Sequence, residues 1–358
     1  MARSISKGPK PQGGYATPSR QSLADAKARA LARQNKKSAA PAKAAAFKPR
    51  IDAKSVYGDA AMTLQTALLR AQKQGVAKMD ARMLLLHALG QDNPNAAWLL
   101  AHDQDDLTAP QAVAYSAVCA RRRSGEPVAY IVGFKEFYGL RLAVDKRVLD
   151  PRADTETLVD WALTIMQAAA PEPALGQVIP SVLAEPGEAP APKAPAPKAL
   201  DLGTGSGAIA LALQSKCPAW QVHATDTSLG ALAVARANAQ SHKLPVQFHP
   251  GSWLDAVKGE RFDLILSNPP YIAAADPHLA ALTHEPLQAL ASGADGLDDI
   301  RQIISQAPAH LHMGGWLLLE HGYDQAAAVR SLMQKAGFKQ VESCKDLAGI
   351  ERCTGGRL

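Results

Sequence analysis

Five residues, Ser267-Asn268-Pro269-Pro270-Tyr271, follow the apolar run Phe262-Asp263-Leu264-Ile265-Leu266. Neither proline can donate a backbone hydrogen bond, and each holds the residue before it extended. The carbonyl of Pro269 is therefore kept rigid and out of any ladder. Beside it, the side chain of Asn268 offers a second carbonyl oxygen. Two fixed acceptors at this spacing suit the two N–H bonds of a planar NH₂ group. An amide or aryl-amine nitrogen is a poor nucleophile because its lone pair is delocalised. It needs no strong base if the electrophile is a sulfonium methyl; it needs alignment and stabilisation of the charge that develops on it. Tyr271 can cover the planar group by stacking. The reaction implied is methyl transfer to an amide-type nitrogen, with Asn268, Pro269, Pro270 and Tyr271 as the catalytic and substrate-binding residues.

A second run binds rather than reacts. Ala199-Leu200-Asp201-Leu202 leads into Gly203-Thr204-Gly205-Ser206-Gly207 and then the apolar stretch Ala208 to Leu213. Glycines between a strand and a helix allow a tight turn and close approach of a ligand to the backbone. Asp226 ends the next strand, where a carboxylate can accept both hydroxyl protons of a ribose. The spacing Gly203-x-Gly205-x-x-Ala208 also fits a dinucleotide fingerprint, so this loop alone does not choose the nucleoside. Trp253 follows the third strand, in position either to stack on an adenine ring or to pack in the core. The ten histidines show no metal spacing, and no metal is expected: His310 and His312, two apart in a helical stretch, point to different faces. His321, after a strand, reads as structural.

These residues need a scaffold that brings strand ends together. Between 198 and 345 apolar strand patterns near 198–202, 221–225, 246–249, 262–267, 315–320 and 339–345 alternate with helices near 206–215, 228–241, 296–313 and 323–336. The alternation implies an α/β fold, a doubly wound and mostly parallel sheet. Ahead of it, apolar residues at helical spacing (Met62, Leu64, Leu68; Leu85, Leu86, Leu89; Val113 to Val118) predict a small helical domain over 55–125. Residues 126–150 shift to β character from Val128 onward, with Gly133 and Gly139 as punctuation, and predict a hairpin linker. The catalytic domain spans 151–358, opens with a helix near 155–168, and carries an insert at 171–198 with eight prolines, read as extended.

Composition restricts the partners. The 358 residues carry a formal charge of +6, yet twelve Lys and Arg against one acid fall within the first fifty. The folded body is thus mildly acidic and offers no basic surface for gripping nucleic acid. Residues 1–54, poor in large apolar side chains, are expected to be a disordered basic tail with at most weak RNA or ribosome contact. No stretch of 18 apolar residues suggests a membrane span. Four scattered cysteines fit a reducing cytoplasm.

With these residues in view, the chain resembles the HemK/PrmC family, protein-(glutamine-N5) methyltransferases of class 1 peptide release factors, over roughly residues 57 to 358. The resemblance rests on the run from Arg121 to Phe137, Pro151-Arg152-Ala153-Asp154-Thr155-Glu156, Asp201 to Gly207, Asn268 to Tyr271, Glu285-Pro286-Leu287 and Leu317 to Gly322. It implies a Rossmann-like class I fold using S-adenosylmethionine, with S-adenosylhomocysteine as product. It further implies that Gly203, Thr204, Gly205, Ser206 and Gly207 hold the methionine portion, Asp226 the ribose and Trp253 the adenine. Asn268 to Tyr271 would hold the glutamine of a Gly-Gly-Gln loop, with Asn268 also touching the donor, and the helical domain would dock the release factor. The basic tail and the Pro/Ala insert depart from the family pattern. The glycine loop and Asn-Pro-Pro-Tyr are shared with adenine-N6 methyltransferases of DNA and RNA, which is the first alternative. A non-catalytic RNA- or ribosome-binding protein on the same fold is the second; intact motifs argue against it.

Overall fold

The computed structural model describes residues 62–91, 96–169 and 195–358. The basic tail and residues 171–194 of the Pro/Ala insert lie outside them. The first described segment is helical: α1 (Leu64–Lys73), α2 (Lys78–Ala88), α3 (Ala96–Ala101) and α4 (Ala109–Arg123). Thr63 caps α1, and Thr108 forms a capping box with Gln111 at the start of α4, satisfying amides that a helix start leaves without partners. Leu64, Leu84, Leu85 and Tyr115 pack into a core of their own.

The segment from Val128 departs from the sequence reading. Val128–Val132 is a short helix, α5, not a strand. Pro127 starts it and Gly133 ends it in the left-handed conformation, φ 84°. Burial of Ala129, Tyr130 and Ile131 outweighs the β preference of Val and Ile. The hairpin is confined to β1 (Phe134–Phe137) and β2 (Leu140–Ala143).

A 3₁₀ turn, Ala153–Thr155, leads into α6 (Glu156–Ala168). Then follow β3 (Lys198–Leu202), α7 (Ala208–Lys216), β4 (Gln221–Asp226), α8 (Leu229–His242), β5 (Gln247–Pro250) and a 3₁₀ turn at Trp253–Val257. After β6 (Phe262–Ser267) come α9 (Asp298–His310), β7 (Leu311–Glu320), α10 (Ala326–Lys335), β8 (Lys339–Lys345) and β9 (Glu351–Arg357). The seven strands lie in the order β5-β4-β3-β6-β7-β9-β8. All neighbours up to β7 are parallel, while β9 runs antiparallel to both β7 and β8. This is the α/β, doubly wound class expected.

Alternate residues of β3 serve opposite faces. Ala199 packs with α6 and α7, while Leu200 and Leu202 pack with α9 and α10. A parallel sheet needs this double cover. Helix α9 stops at His310, so His312 lies in β7 rather than in a helix. Strand β9, Glu-Arg-Cys-Thr-Gly-Gly-Arg, escapes sequence reading because it lacks apolar alternation. Its glycine has a packing reason: a Cβ on Gly355 would lie 2.4 Å from Leu318 and 2.6 Å from Trp161. Among the described residues no helix is long and apolar enough to cross a membrane.

One buried side chain ties the hairpin to the turn that follows β3. Asn238 of α8 accepts from Ala143 N at 2.8 Å, and its Nδ2 donates to Ala143 O at 3.0 Å and Ser206 O at 2.9 Å. Replacement by Ala leaves three backbone groups without their partner, the buried Ser206 carbonyl and the part-buried amide and carbonyl of Ala143. Asn238→Ala is expected to cost about 2–4 kcal/mol, read as a lower urea midpoint.

Candidate functional site

The turn after β3 is shaped by its hydrogen bonds. The amides of Gly203 and Thr204 both donate to Thr225 O, at 2.9 Å each, and Gly207 N donates to Thr204 O at 2.8 Å. Gly203 has φ 71°, and a Cβ there would sit 3.1 Å from the indole of Trp253. Only glycine meets both conditions without strain. The hydroxyl of Thr204 donates to Asp201 Oδ2 at 2.6 Å, and Ala210 N donates to the same oxygen at 3.2 Å. Asp201 is fully buried, which pushes its carboxyl up to about 7 against the pull of those two bonds.

Asp226 closes the turn from the neighbouring strand. Its Oδ2 accepts from Gly205 N at 2.9 Å and its Oδ1 from Ser228 N at 2.8 Å. Burial raises its pKa; the two backbone donors lower it less. Each oxygen keeps a free lone pair, so the carboxylate has capacity for two further donors. Trp253 Nε1 donates to Asp299 Oδ1 at 3.1 Å in the first turn of α9, which fixes the indole plane.

The Asn-Pro-Pro-Tyr segment leaves β6 beside this turn. Ser267 Oγ donates to Leu202 O at 2.7 Å, and Asn268 Nδ2 donates to Thr155 Oγ1 at 3.0 Å. Pro269 and Pro270 are buried. Beyond them the chain is anchored by Ile272 N to Leu290 O and Ser292 N to Ile272 O, both 2.9 Å. Gln325 Nε2 donates to Tyr271 O at 3.0 Å. Burial, and then the charge of Glu320, push the Tyr271 phenol up to about 12, so it is a neutral hydroxyl.

Gly203, Gly205, Asp226, Trp253, Asn268 and Pro270 line one pocket, together with Arg147 to Leu149, Ser228, Gln288 and Asp299. Other sequence-predicted residues stand behind it. The Thr204 and Ser206 side chains are buried, Gly207 caps α7, and Tyr271 packs against the core between the sheet and α9. Sequence reasoning missed Asp299 and the Arg147 to Leu149 stretch. It also assigned no role to Thr155 or Glu320, although both fall in motifs it singled out. Such parts are found by asking which distant motifs end at the same sheet edge.

His321 is buried, with Nε2 2.8 Å from Thr354 Oγ1 and Nδ1 2.9 Å from Gly322 O, a structural role. Among the described residues His223, His249 and Glu260 form a group with metal-ligand atoms in reach of one another. Sequence spacing hides it, because pairing of β4 with β5 brings the imidazoles together. Nδ1 of His223 lies 3.0 Å from Nε2 of His249 with the rings 3° from parallel, the geometry of a shared proton. Glu260 is paired with Lys198 at 3.1 Å.

Comparison with known proteins adds two family matches: the methyltransferase small domain over residues 190–349 and the PrmC N-terminal domain over residues 60–133. The chain is 45% identical to the release factor glutamine methyltransferase of Xylella fastidiosa over 294 residues, 81% of this chain and 97% of that protein. It is 44% identical to the Bordetella pertussis enzyme of the same name over 300 residues, 83% of this chain and all of that protein. The corresponding Burkholderia pseudomallei protein is 44% identical, with 81% and 95% covered.

The buried carboxyl under the glycine turn gives the site a pH signature. Its folded pKa is raised from 3.8 to about 7, so the stability it contributes is full below about pH 4 and is lost as pH rises through about 7. Asp201→Asn removes that loss. Across this range the wild type is expected to weaken relative to the variant, as measured by denaturation midpoints at each pH.

Proposed function

The chain belongs to the HemK/PrmC family of release factor glutamine methyltransferases, and from that premise we propose that it methylates the side-chain amide nitrogen (N5) of the glutamine in the Gly-Gly-Gln loop of class 1 peptide release factors. The carrying observation is Asn268, whose Nδ2 is tied back to Thr155 while the residue lines the same pocket as Gly203, Asp226 and Trp253. Its carbonyl oxygen is thereby left for an acceptor NH₂.

The residues present fit S-adenosylmethionine. The turn from Gly203 to Gly207 gives the methionine portion access to backbone, the spare lone pairs of Asp226 suit ribose hydroxyls, and the Trp253 indole offers a face to the adenine. When bound, the donor supplies an electrophilic methyl: its C–S bond breaks as the N–C bond forms, and one amide proton leaves. Asn268 Oδ1 and the carbonyl of Pro269 orient the NH₂ group and stabilise the positive charge growing on nitrogen. Pro269 and Pro270 hold those oxygens in place without backbone donors of their own. Tyr271, a neutral hydroxyl packed against the core behind the pocket, braces the Asn-Pro-Pro turn from behind, where the sequence suggested stacking on the amide. This chemistry requires no metal ion.

The helical segment, within 55–125, is the surface we assign to the protein substrate, with 126–150 as linker and 151–358 as the catalytic domain. The cationic first fifty residues support weak, salt-sensitive contact with RNA or ribosomes. Four free cysteines support a reducing cytoplasm.

Labelled donor incubated with purified release factors, DNA and RNA tests the reading, with the label mapped by mass spectrometry. Label on the glutamine of the release factor is expected; label on adenine instead overturns it. Asn268→Ala is expected to lower kcat on the order of a hundredfold or more, and wild-type turnover in single-turnover kinetics would reject the role given to Asn268. Asp226→Ala is expected to weaken S-adenosylhomocysteine binding roughly ten- to a hundredfold, as calorimetry would measure.

A further inference from the structure

An asparagine amide works as an acceptor only if its oxygen faces the substrate. Rotated by half a turn it presents NH₂ to NH₂ and repels the group it should hold. Something behind Asn268 must therefore fix the rotation. Its Nδ2 points into the protein, 3.0 Å from Thr155 Oγ1. Thr155 sits at the end of the 3₁₀ turn before α6, is buried, and has a single hydroxyl proton. Behind both lies Glu320, the last residue of β7, 2% exposed, whose ionised form the side chains of Thr155 and Asn268 favour.

Donor counting then gives one solution. An ionised carboxylate only accepts. Thr155 accepts from Asn268, which leaves its single proton for the carboxylate behind it, and a proton so used keeps the oxygen an acceptor. The Asn268 nitrogen is thereby drawn rearward, with Thr155 Oγ1 as its acceptor at 3.0 Å and the Glu320 carboxyl behind. The amide oxygen is left facing the pocket, and among the described residues nothing donates to it.

We infer that Thr155 and Glu320 are positioning residues that hold the Asn268 amide with its nitrogen turned into the protein and its oxygen turned to the acceptor nitrogen. This rests on the role given above to Asn268. Neither residue touches the reacting atoms, and Glu320 acts through the other two.

The arrangement depends on Glu320 being ionised. Burial and the charge of Asp154 raise its pKa, while Thr155, Arg352 and Asn268 lower it; the balance leaves it at about 7. Tyr271 and Cys353 also face it and are neutral, their pKa values raised mainly by burial. A protonated Glu320 brings a hydrogen of its own, and Thr155 is then no longer obliged to accept. Turnover in the wild type is expected to fall as pH drops through about 7.

The test uses full-length enzyme with a release factor as methyl acceptor. Thr155→Val, close in shape and without the hydroxyl, is expected to lower kcat about ten- to a hundredfold. KM for the protein and affinity for S-adenosylhomocysteine should stay within about twofold. Thr155→Ser is expected to restore most of kcat. Glu320→Gln, which cannot ionise, is expected to lower kcat and to abolish its acid limb. Circular dichroism and S-adenosylhomocysteine binding establish that each variant is folded, and Ser rescue supplies the readout should Val unfold. Wild-type kcat in Thr155→Val, no rescue by Ser, or an acid limb surviving in Glu320→Gln would each overturn the inference. Asn268→Ala separates the two levels. A crippled Asn268→Ala beside a fully active Thr155→Val rejects the positioning roles alone. An active Asn268→Ala rejects the catalytic reading beneath them.

Discussion

The site depends on the register of one strand. In β3, Leu202 pairs with Thr225 of β4 on one side and with Ser267 of β6 on the other. Three loops that are neighbours in the sheet therefore leave it at the same height: the glycine turn, Asp226 with its following loop, and the Asn-Pro-Pro-Tyr segment. A slip of one residue in either ladder would turn every side chain of that strand to the opposite face. It would also separate the Asn268 amide from the glycine turn. Register is fixed from both faces, since Ala199 is committed to one core and Leu200 and Leu202 to the other. Asp226 adds a lateral tie, because its Oδ2 holds the amide of Gly205 from the neighbouring loop.

Carboxyl groups under this edge are desolvated to different degrees and do different work. Asp201 and Glu320 are almost wholly buried, each with one oxygen lacking a partner, Oδ1 and Oε2 respectively. Their ionised forms are correspondingly disfavoured. Asp226, part-buried and held by two backbone amides, keeps one oxygen-rich side toward the pocket. The first two face neighbours inside the protein, while the third lines the pocket. A fold that keeps buried carboxyls beneath its reactive edge gives up stability for orientation, a common feature of functional sites.

Much of this was legible in sequence because local physics determined it. The alternation of apolar strands and helices after residue 198, the glycine turn, Asp226 and the Asn-Pro-Pro-Tyr segment each carry their reason in a few adjacent residues. What stayed hidden was decided by contacts across long separations. Val128 to Val132 has strand-forming side chains, but burial of Ala129, Tyr130 and Ile131 makes it a helix between Pro127 and Gly133. Strand β9 has no apolar period because its two glycines are selected by Trp161, Leu318 and Phe338 pressing on it. The pairing of His223 with His249 needs the register of β4 on β5. The convergence of Thr155, Asn268 and Glu320 joins positions 113 residues apart in one of its contacts, which no local pattern reveals.

That convergence also ties segments far from the glycine turn to the surroundings of Asn268. Strand β9 inserts antiparallel beside β7 so that Cys353 stands opposite Glu320 and Thr354 opposite Leu319. Arg352 then reaches Asp154 at 3.3 Å and Asp346 at 2.9 Å, tying the turn that carries Thr155 to the far edge of the sheet. On the other side of that turn, Arg152 pairs with Glu285 at 2.5 Å, which joins it to the loop following Asn-Pro-Pro-Tyr. The 3₁₀ turn at Ala153–Thr155 is thus held from both flanks by ion pairs whose partners lie in different parts of the chain. These are not surface pairs, since the Glu285 and Asp346 side chains are only 2% and 6% exposed, and together they limit the travel of the Thr155 hydroxyl that accepts from Asn268. Removing Arg152 would leave the buried Glu285 without its guanidinium, the kind of loss that destabilises a fold strongly, so this pair bears on folding as well as on where the Thr155 hydroxyl sits.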